Sequence, residues 1–137
     1  MQNLSMDALT SLGFVRIGAW SLTGETLQLS LAAPPESRGV LYAFVVNDEV
    51  MYLGKSVRKF KQRLHGYLKP GPTQRTNQRV HAQLKGVLAD NVRSVVEIYG
   101  FAPQEWHEYK GWRLDIAAGL EGELIRFLDP TWNVRNS

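Results

Sequence analysis

The constraint that most narrows the fold is a strand–turn–strand–helix stretch in the first half of the chain. Val40 to Val46 is a run of β-branched and aromatic residues, the composition of a strand. Asn47-Asp48-Glu49 is polar turn material and Val50-Met51-Tyr52-Leu53 a second strand, so a β-hairpin ended by Gly54 is expected. Ser56 is placed to cap a following helix. The apolar side of that helix is Val57, Phe60, Leu64, Tyr67 and Leu68, at helical spacing. At about 100° per residue, Lys59, Arg63 and Tyr67 fall along one flank of the stripe. Two strand tyrosines, Tyr42 and Tyr52, therefore lead into a helix edged with cations, which is the arrangement of a site.

Around this stretch the pattern is that of one α/β domain. Residues 1–12 suggest a short helix, with Met6, Leu9 and Leu12 at helical spacing. Phe14–Trp20 and Glu25–Leu31 are expected strands around a turn at Leu22-Thr23-Gly24. Pro34-Pro35 makes the following connector rigid, because paired prolines exclude helix and central strand. Residues 1–38 are thus expected to form an N-terminal hairpin extension on a main domain of residues 39–137, lengthening its sheet or covering an edge. Lys69-Pro70-Gly71-Pro72 ends the central helix, and Thr73 to Asn77 is a polar loop. A helix over Gln78–Ala89 follows, with Val80, Leu84, Val87 and Leu88 inward, then a third strand over Val92–Tyr99. The aromatic stretch Phe101–Trp112 is expected as a short helix with a turn at Gly111, placing Trp106 and Trp112 in the core. The last helix spans Ala117–Leu128 and is closed by Asp129-Pro130. The expected architecture is a small three-stranded, mainly antiparallel sheet flanked by helices.

Composition bounds what such a domain can do. At 137 residues the chain suits a single domain with a core. No apolar run approaches the ~20 residues of a membrane helix, and the first residues lack the pattern of a secretory signal. With no cysteine, disulfides and thiolate metal sites are excluded, and a cytoplasmic location is the default expectation. The net charge of +3 is unevenly spread: Lys55 to Arg93 holds ten Lys/Arg against the single acid Asp90, a local +9 between two segments of −3. That is the footprint of a polyanion binder, and equally, on charge alone, of a solvated helix face.

Glu121 stands out on the last helix. Ala117, Leu120, Leu124, Ile125, Phe127 and Leu128 fill one sector of the helical wheel, and Glu121 falls inside it while Glu123 does not. A carboxylate facing a core is costly unless paired or bound to a metal. By helical position alone, an ion pair with an arginine is the simpler account. His65, His81 and His107 have no spacing that suggests a shared metal site.

Taken together these residues resemble the GIY-YIG nuclease family. Val40-Leu41-Tyr42 stands ten residues before Tyr52-Leu53-Gly54, followed by Lys55 and Arg63. The stretch from Glu121 to Asn133, EGELIRFLDPTWN, is similar to the family's metal-binding helix and its Pro-x-aromatic-Asn tail. The likeness covers roughly Gly39 to Asn133, and it departs where the first motif has its glycine displaced to Gly39.

The resemblance implies a metal-dependent DNA endonuclease that leaves 5′-phosphate and 3′-hydroxyl ends. It implies that Glu121 holds Mg²⁺ (or Mn²⁺) and that Tyr42 and Tyr52 converge on the scissile phosphate. Tyr42 is the expected general base and Tyr52 its positioning partner, with the two roles exchangeable. A free phenol has a pKa of ~10, and Lys55 and Arg63 are expected to lower it while stabilising phosphoryl charge. Tyr67 occupies a position near the phosphate, and Asn133 braces the site. Lys59, Lys69, Arg75, Asn77 and Arg79, with Thr76, are expected to contact nucleic-acid phosphates from the basic segment. RNA as substrate, a catalytically weak binding module, and a homodimer or separate specificity partner all remain open at this stage.

Overall fold

The computed structural model describes residues 4–32, 39–57, 59–90, 95–103 and 106–134. Strands β1 (Val15–Thr23), β2 (Thr26–Leu31), β3 (Val40–Val46), β4 (Glu49–Ser56) and β5 (Val96–Phe101) form one sheet in the order β2-β1-β5-β3-β4. Every neighbouring pair is antiparallel. Helices α1 (Leu4–Leu12), α2 (Phe60–Leu68), α3 (Arg75–Asp90) and α4 (Ile116–Leu128) cover it, and β6 (Trp106–Tyr109) pairs with β7 (Trp112–Asp115) as a separate hairpin.

The expectation of three strands is corrected to five. The N-terminal hairpin lengthens the sheet, because β1 pairs with β5 from Val15↔Gly100 to Trp20↔Val96. Such pairing joins residues about eighty apart and leaves no local trace in sequence.

β3 lies at the heart of the sheet and is buried on both faces, hence its unbroken apolar run. Val40, Tyr42 and Phe44 point into a layer shared with Phe60, Leu64 and Tyr67 of α2 and Val80, Leu84 and Leu88 of α3. Leu41, Ala43 and Val45 point to the other layer, with Leu9 of α1 and Ala117 and Leu124 of α4. The β3–β4 turn is two residues, Asn47 and Asp48, both at positive φ (49° and 64°). Those angles match the twist of the flanking strands, and Asn and Asp tolerate them. Glu49 already belongs to β4.

Several boundaries depart from expectation. Ser56 is buried inside β4, opposite Val40, and does not cap α2. The helix starts at Phe60 behind Lys59, whose side chain makes no cap bond, and Val57 is 68% exposed in the connection. Arg75, Thr76 and Asn77 are the first turn of α3, not a loop. The third expected strand ends at Phe101 rather than Tyr99; residues 92–94 of it, and the Pro34-Pro35 connector, lie outside the described residues. The aromatic stretch is a hairpin instead of a helix: Lys110 and Gly111, at φ 50° and 86°, form its turn. Trp and Tyr favour strands, and here Trp106 and Trp112 are exposed, not core. Among the described residues, no helix is long and apolar enough to cross a membrane.

Trp20 ties the N-terminal hairpin to the core: it is fully buried and packs edge-on against Phe44, ring centroids 5.6 Å apart. Trp20→Ala should lower the unfolding free energy by about 3–5 kcal/mol, read from urea denaturation as one cooperative transition. A separate early transition would show that the hairpin unfolds independently of the sheet.

Candidate active site

β4 is an edge strand, and its outer side is partly closed by the C-terminal segment. Trp132 N donates to Met51 O (2.7 Å), and the Asn133 side chain both accepts from Leu53 N (2.9 Å) and donates to Leu53 O (2.8 Å). Asn133 therefore acts as a short strand partner that fixes the backbone just before Gly54. Among the described residues no further strand pairs with this edge, and α4 packs against β4 from one face of the sheet.

On one side of this edge three phenols form a single chain of hydroxyls. Tyr42 and Tyr67 are 2.5 Å apart, oxygen to oxygen, and Tyr67 donates to Tyr52 at 3.3 Å. Either hydroxyl can be the donor in the shorter bond. Tyr42 and Tyr67 are completely buried and Tyr52 nearly so. Buried hydroxyls need partners, and these supply one another. Gly54 makes room for them: it stands opposite Tyr42 in the ladder, and a Cβ there would come within 2.6 Å of the Tyr42 hydroxyl.

Burial pushes the Tyr42 phenol well above its ordinary value; the adjacent Tyr52 adds to the rise, and Arg63 counters only part of it. Tyr67 is raised likewise, by burial first and then by Tyr42 and Tyr52, against Arg63. The expected net lowering by nearby cations is thus corrected. Desolvation outweighs the guanidinium, and all the charge relief Arg63 offers is spent against burial.

Arg63 lies over this chain. Its guanidinium carbon is 4.5 Å from the Tyr67 ring centroid, and Nη1 donates to Asn77 Oδ1 at 2.8 Å. Asn77 in turn donates to Gln74 at 3.0 Å. Gly66 lets α3 approach this closely, because a Cβ there would lie 2.9 Å from Asn77 Nδ2. Lys55, Gln62, Arg63, Gly66, Gln74 and Asn77 line a cleft of about 480 Å³. A larger groove of about 540 Å³, between Leu29 and Leu31 of β2 and Lys61 and His65 of α2, contains none of the tyrosines.

From the opposite layer, α4 brings Glu121 to the same edge. The helix is started by Asp115, whose Oδ1 accepts from Ala118 N at 3.0 Å while Oδ2 lies 3.9 Å from Lys55 Nζ. Glu121 is half-buried, and desolvation raises its carboxyl above the usual range while Lys55 and Arg63 pull it back. No hydrogen bond or ion pair engages it among the described residues. Glu123, two positions on, is exposed and paired with Arg126. Among the described residues no cluster of three or more His, Asp or Glu stands ready for a metal, which leaves Glu121 as a single oxygen donor.

The expected phosphate contacts divide. Lys59, Lys69, Arg75 and Thr76 are exposed. Asn77 is buried and holds Arg63, and Arg79 is half-buried with Nη2 donating to Trp132 O at 3.2 Å. Asn77 was expected in a polar loop and Arg79 in the first turn of the helix after it; the helix begins earlier, at Arg75, and turns both inward. Asn77 shares the i, i+3, i+7 stripe of Val80 and Leu84, and that spacing is the signal that marks it as inward-facing. Asp115, which joins Lys55 to the first turn of α4, escaped the sequence reading, since one aspartate before a helix signals a cap and nothing more.

No protein-family model matches the chain, and no curated protein matches it in sequence. Its backbone is similar to that of a mutant of bacteriophage T4 EndoII, with a TM-score of 0.69 and 20% identity over 95% of this chain and 98% of that one. It is also similar to the restriction endonuclease HPY188I in complex with product DNA, with a TM-score of 0.54 and 16% identity over 90% and 78%. An antiparallel sheet with helices on both faces, matched along nearly its whole length to these endonucleases, gives this chain a GIY-YIG-like nuclease fold.

Proposed function

We propose that the protein is a metal-dependent endonuclease that hydrolyses DNA phosphodiester bonds. One observation carries this reading: three linked phenols, the Arg63 guanidinium and a carboxylate with no hydrogen bond or ion pair among the described residues reach the same strand edge from both layers of the fold. The similarity to two endonucleases, one of them bound to product DNA, supports DNA as the partner. Residues 39–137 supply these groups, while residues 1–38 include the strands farthest from β4.

Glu121 fits a hard cation. Its carboxylate is partly desolvated, lies within the influence of Lys55 and Arg63, and has no pairing that a metal would have to displace among the described residues. One such oxygen suits Mg²⁺, which keeps most of its waters. When bound, the ion would neutralise charge developing on the phosphoryl oxygens.

The remaining steps belong to this chain's own residues. Arg63 and Lys55 at the cleft hold the phosphate, and the Arg63 fork stabilises the charge that builds up as water attacks in line. The proton of that water passes to the phenol chain. Because burial opposes a free phenolate at Tyr42, the base is the chain as a unit: a proton gained at Tyr42 is matched by one handed on through Tyr67 to Tyr52, whose own proton leaves to solvent at the strand edge. Asn77 keeps the guanidinium aimed, and Asn133 keeps Tyr52 and Gly54 in register. Lys59, Lys69 and Arg75 contribute phosphate contacts along the basic face.

Glu121→Ala should bind a DNA duplex with unchanged affinity and cut it about 10²–10³-fold more slowly. Chelator should abolish cleavage by the unaltered chain, and added Mg²⁺ should restore it; metal-independent cutting would refute the assignment. Tyr67→Phe breaks the phenol chain at its middle. It should lower kcat about 10²-fold with little change in KM, whereas an effect confined to KM would limit Tyr67 to packing.

The phenols also fix the sign of a pH effect on stability. Their native-state pKa values are raised, so the neutral forms favour the fold. That contribution is fully present below the unfolded phenol value of ~10 and is lost as pH rises above it. Melting temperature should therefore fall above about pH 10, and fall less steeply in Tyr42→Phe.

A further inference from the structure

The hairpin β6–β7 is the one element of the described structure with every residue exposed. Its register separates its side chains cleanly. One face holds Trp106, Glu108, Arg113 and Asp115; Arg113 lies 4.6 Å over the Trp106 ring, and Asp115 turns to Lys55. The other face holds His107, Tyr109, Trp112 and Leu114, with exposures of 57%, 74% and 47% for the last three. This second face is apolar and meets solvent. A two-stranded hairpin is marginal by itself, and a contiguous exposed apolar patch marks a contact surface.

We propose that this face is the dimerisation surface of the protein and that its occupant is the same face of a second copy. Charge favours that occupant. The face has no acidic side chain and no arginine; the Lys110 ammonium at the turn rests 5.5 Å from the Tyr109 ring centroid. A nucleic acid would require cations among the aromatics; here Arg113 turns to the other side of the hairpin, over Trp106, and Lys59, Lys69 and Arg75 belong to the connections and helices that cover the opposite face of the sheet. A second copy brings no acid and no arginine to this face, and its one ammonium, Lys110, rests against an aromatic ring. Symmetry is equally favourable, because a two-fold axis through the patch sets Tyr109 and Trp112 against their own counterparts, a closed isologous contact.

Size agrees as well. Aromatic side chains bury about 150–250 Å² each, and with Tyr109 57% and Trp112 74% exposed the two contribute roughly 400–650 Å² across both copies. Leu114 and His107 bring the total towards the ~1,000 Å² that a specific interface requires. Tyr and Trp are also the side chains in which interface energy concentrates. If the nuclease reading holds, such a dimer presents two clefts to one duplex; the dimer itself does not depend on that reading.

The test is sedimentation equilibrium of the full chain, from about 1 to about 100 μM, beside the double variant Tyr109→Ser/Trp112→Ser. The unaltered chain should be dimeric, and the variant should associate at least ~30-fold more weakly with an unchanged far-UV circular dichroism spectrum. If the double variant does not fold, Trp112→Lys at the most exposed position should give the same loss. A chain monomeric throughout the range, or a variant that dimerises as well as the parent, overturns the proposal. A monomeric parent whose DNA affinity falls in the variant also overturns it and assigns the hairpin to nucleic acid.

Discussion

Three hydroxyls sunk in an apolar layer are the constraint around which the rest of the structure is arranged. A phenol without a hydrogen-bond partner in such a place would cost about 1–3 kcal/mol. Tyr42, Tyr67 and Tyr52 avoid that cost only while α2 stays seated on β3 and β4 at the present height and angle. The backbone answers the same demand. Gly54 lies against the Tyr42 hydroxyl where no side chain fits, and Asn133 clamps Leu53, one residue away. A polar cluster of this kind fixes position more than it adds stability, which is the property a reacting centre needs.

The charges are disposed by the two-layer build of the domain. Arg63 comes from the layer that holds the phenols, and Glu121 from the layer on the other face of the sheet. They come within each other's field only at the edge strand, where the sheet no longer separates them. Asp115 adds a second link across that divide, by starting the helix of Glu121 while facing Lys55. At 3.9 Å, with Asp115 exposed, that ion pair is worth little in stability. Its effect is to hold the ammonium beside the first turn of α4.

What the sequence shows and what it hides follow from the range of the interactions concerned. The β3–β4 hairpin was legible because a two-residue Asn-Asp turn and two apolar runs are local signals. The inward placement of Glu121 was legible because a helix maps spacing directly onto faces. The pairing of β1 with β5 was not, since it depends on segments about eighty residues apart. The start of α3 was missed because Arg75, Thr76 and Asn77 are polar, and the partner that lets Asn77 be buried, Arg63, lies on another helix. The raised phenols were missed for a related reason: sequence shows the neighbouring cations but not the depth of burial, and depth is the larger effect. Trp106 and Trp112 misled because apolar composition reads as core, whereas here the fold holds them in solvent.

That last mismatch bears on how a domain this small manages its surface. Exposed aromatics lower solubility and promote association, and nothing in the described fold covers this patch. The turn that holds it out is nonetheless well formed: Lys110 and Gly111 adopt the two positive φ angles a tight hairpin requires, and its base is anchored through Asp115 to both Lys55 and α4. A floppy excursion of the chain would need neither. An arm whose apolar side faces outward, joined through Asp115 to Lys55 beside the residues proposed to handle the phosphate, ties anything that grips the arm to the geometry of the cleft. If the cleft acts on a duplex as proposed, a second cleft for the other strand is most simply supplied by another copy of the same chain.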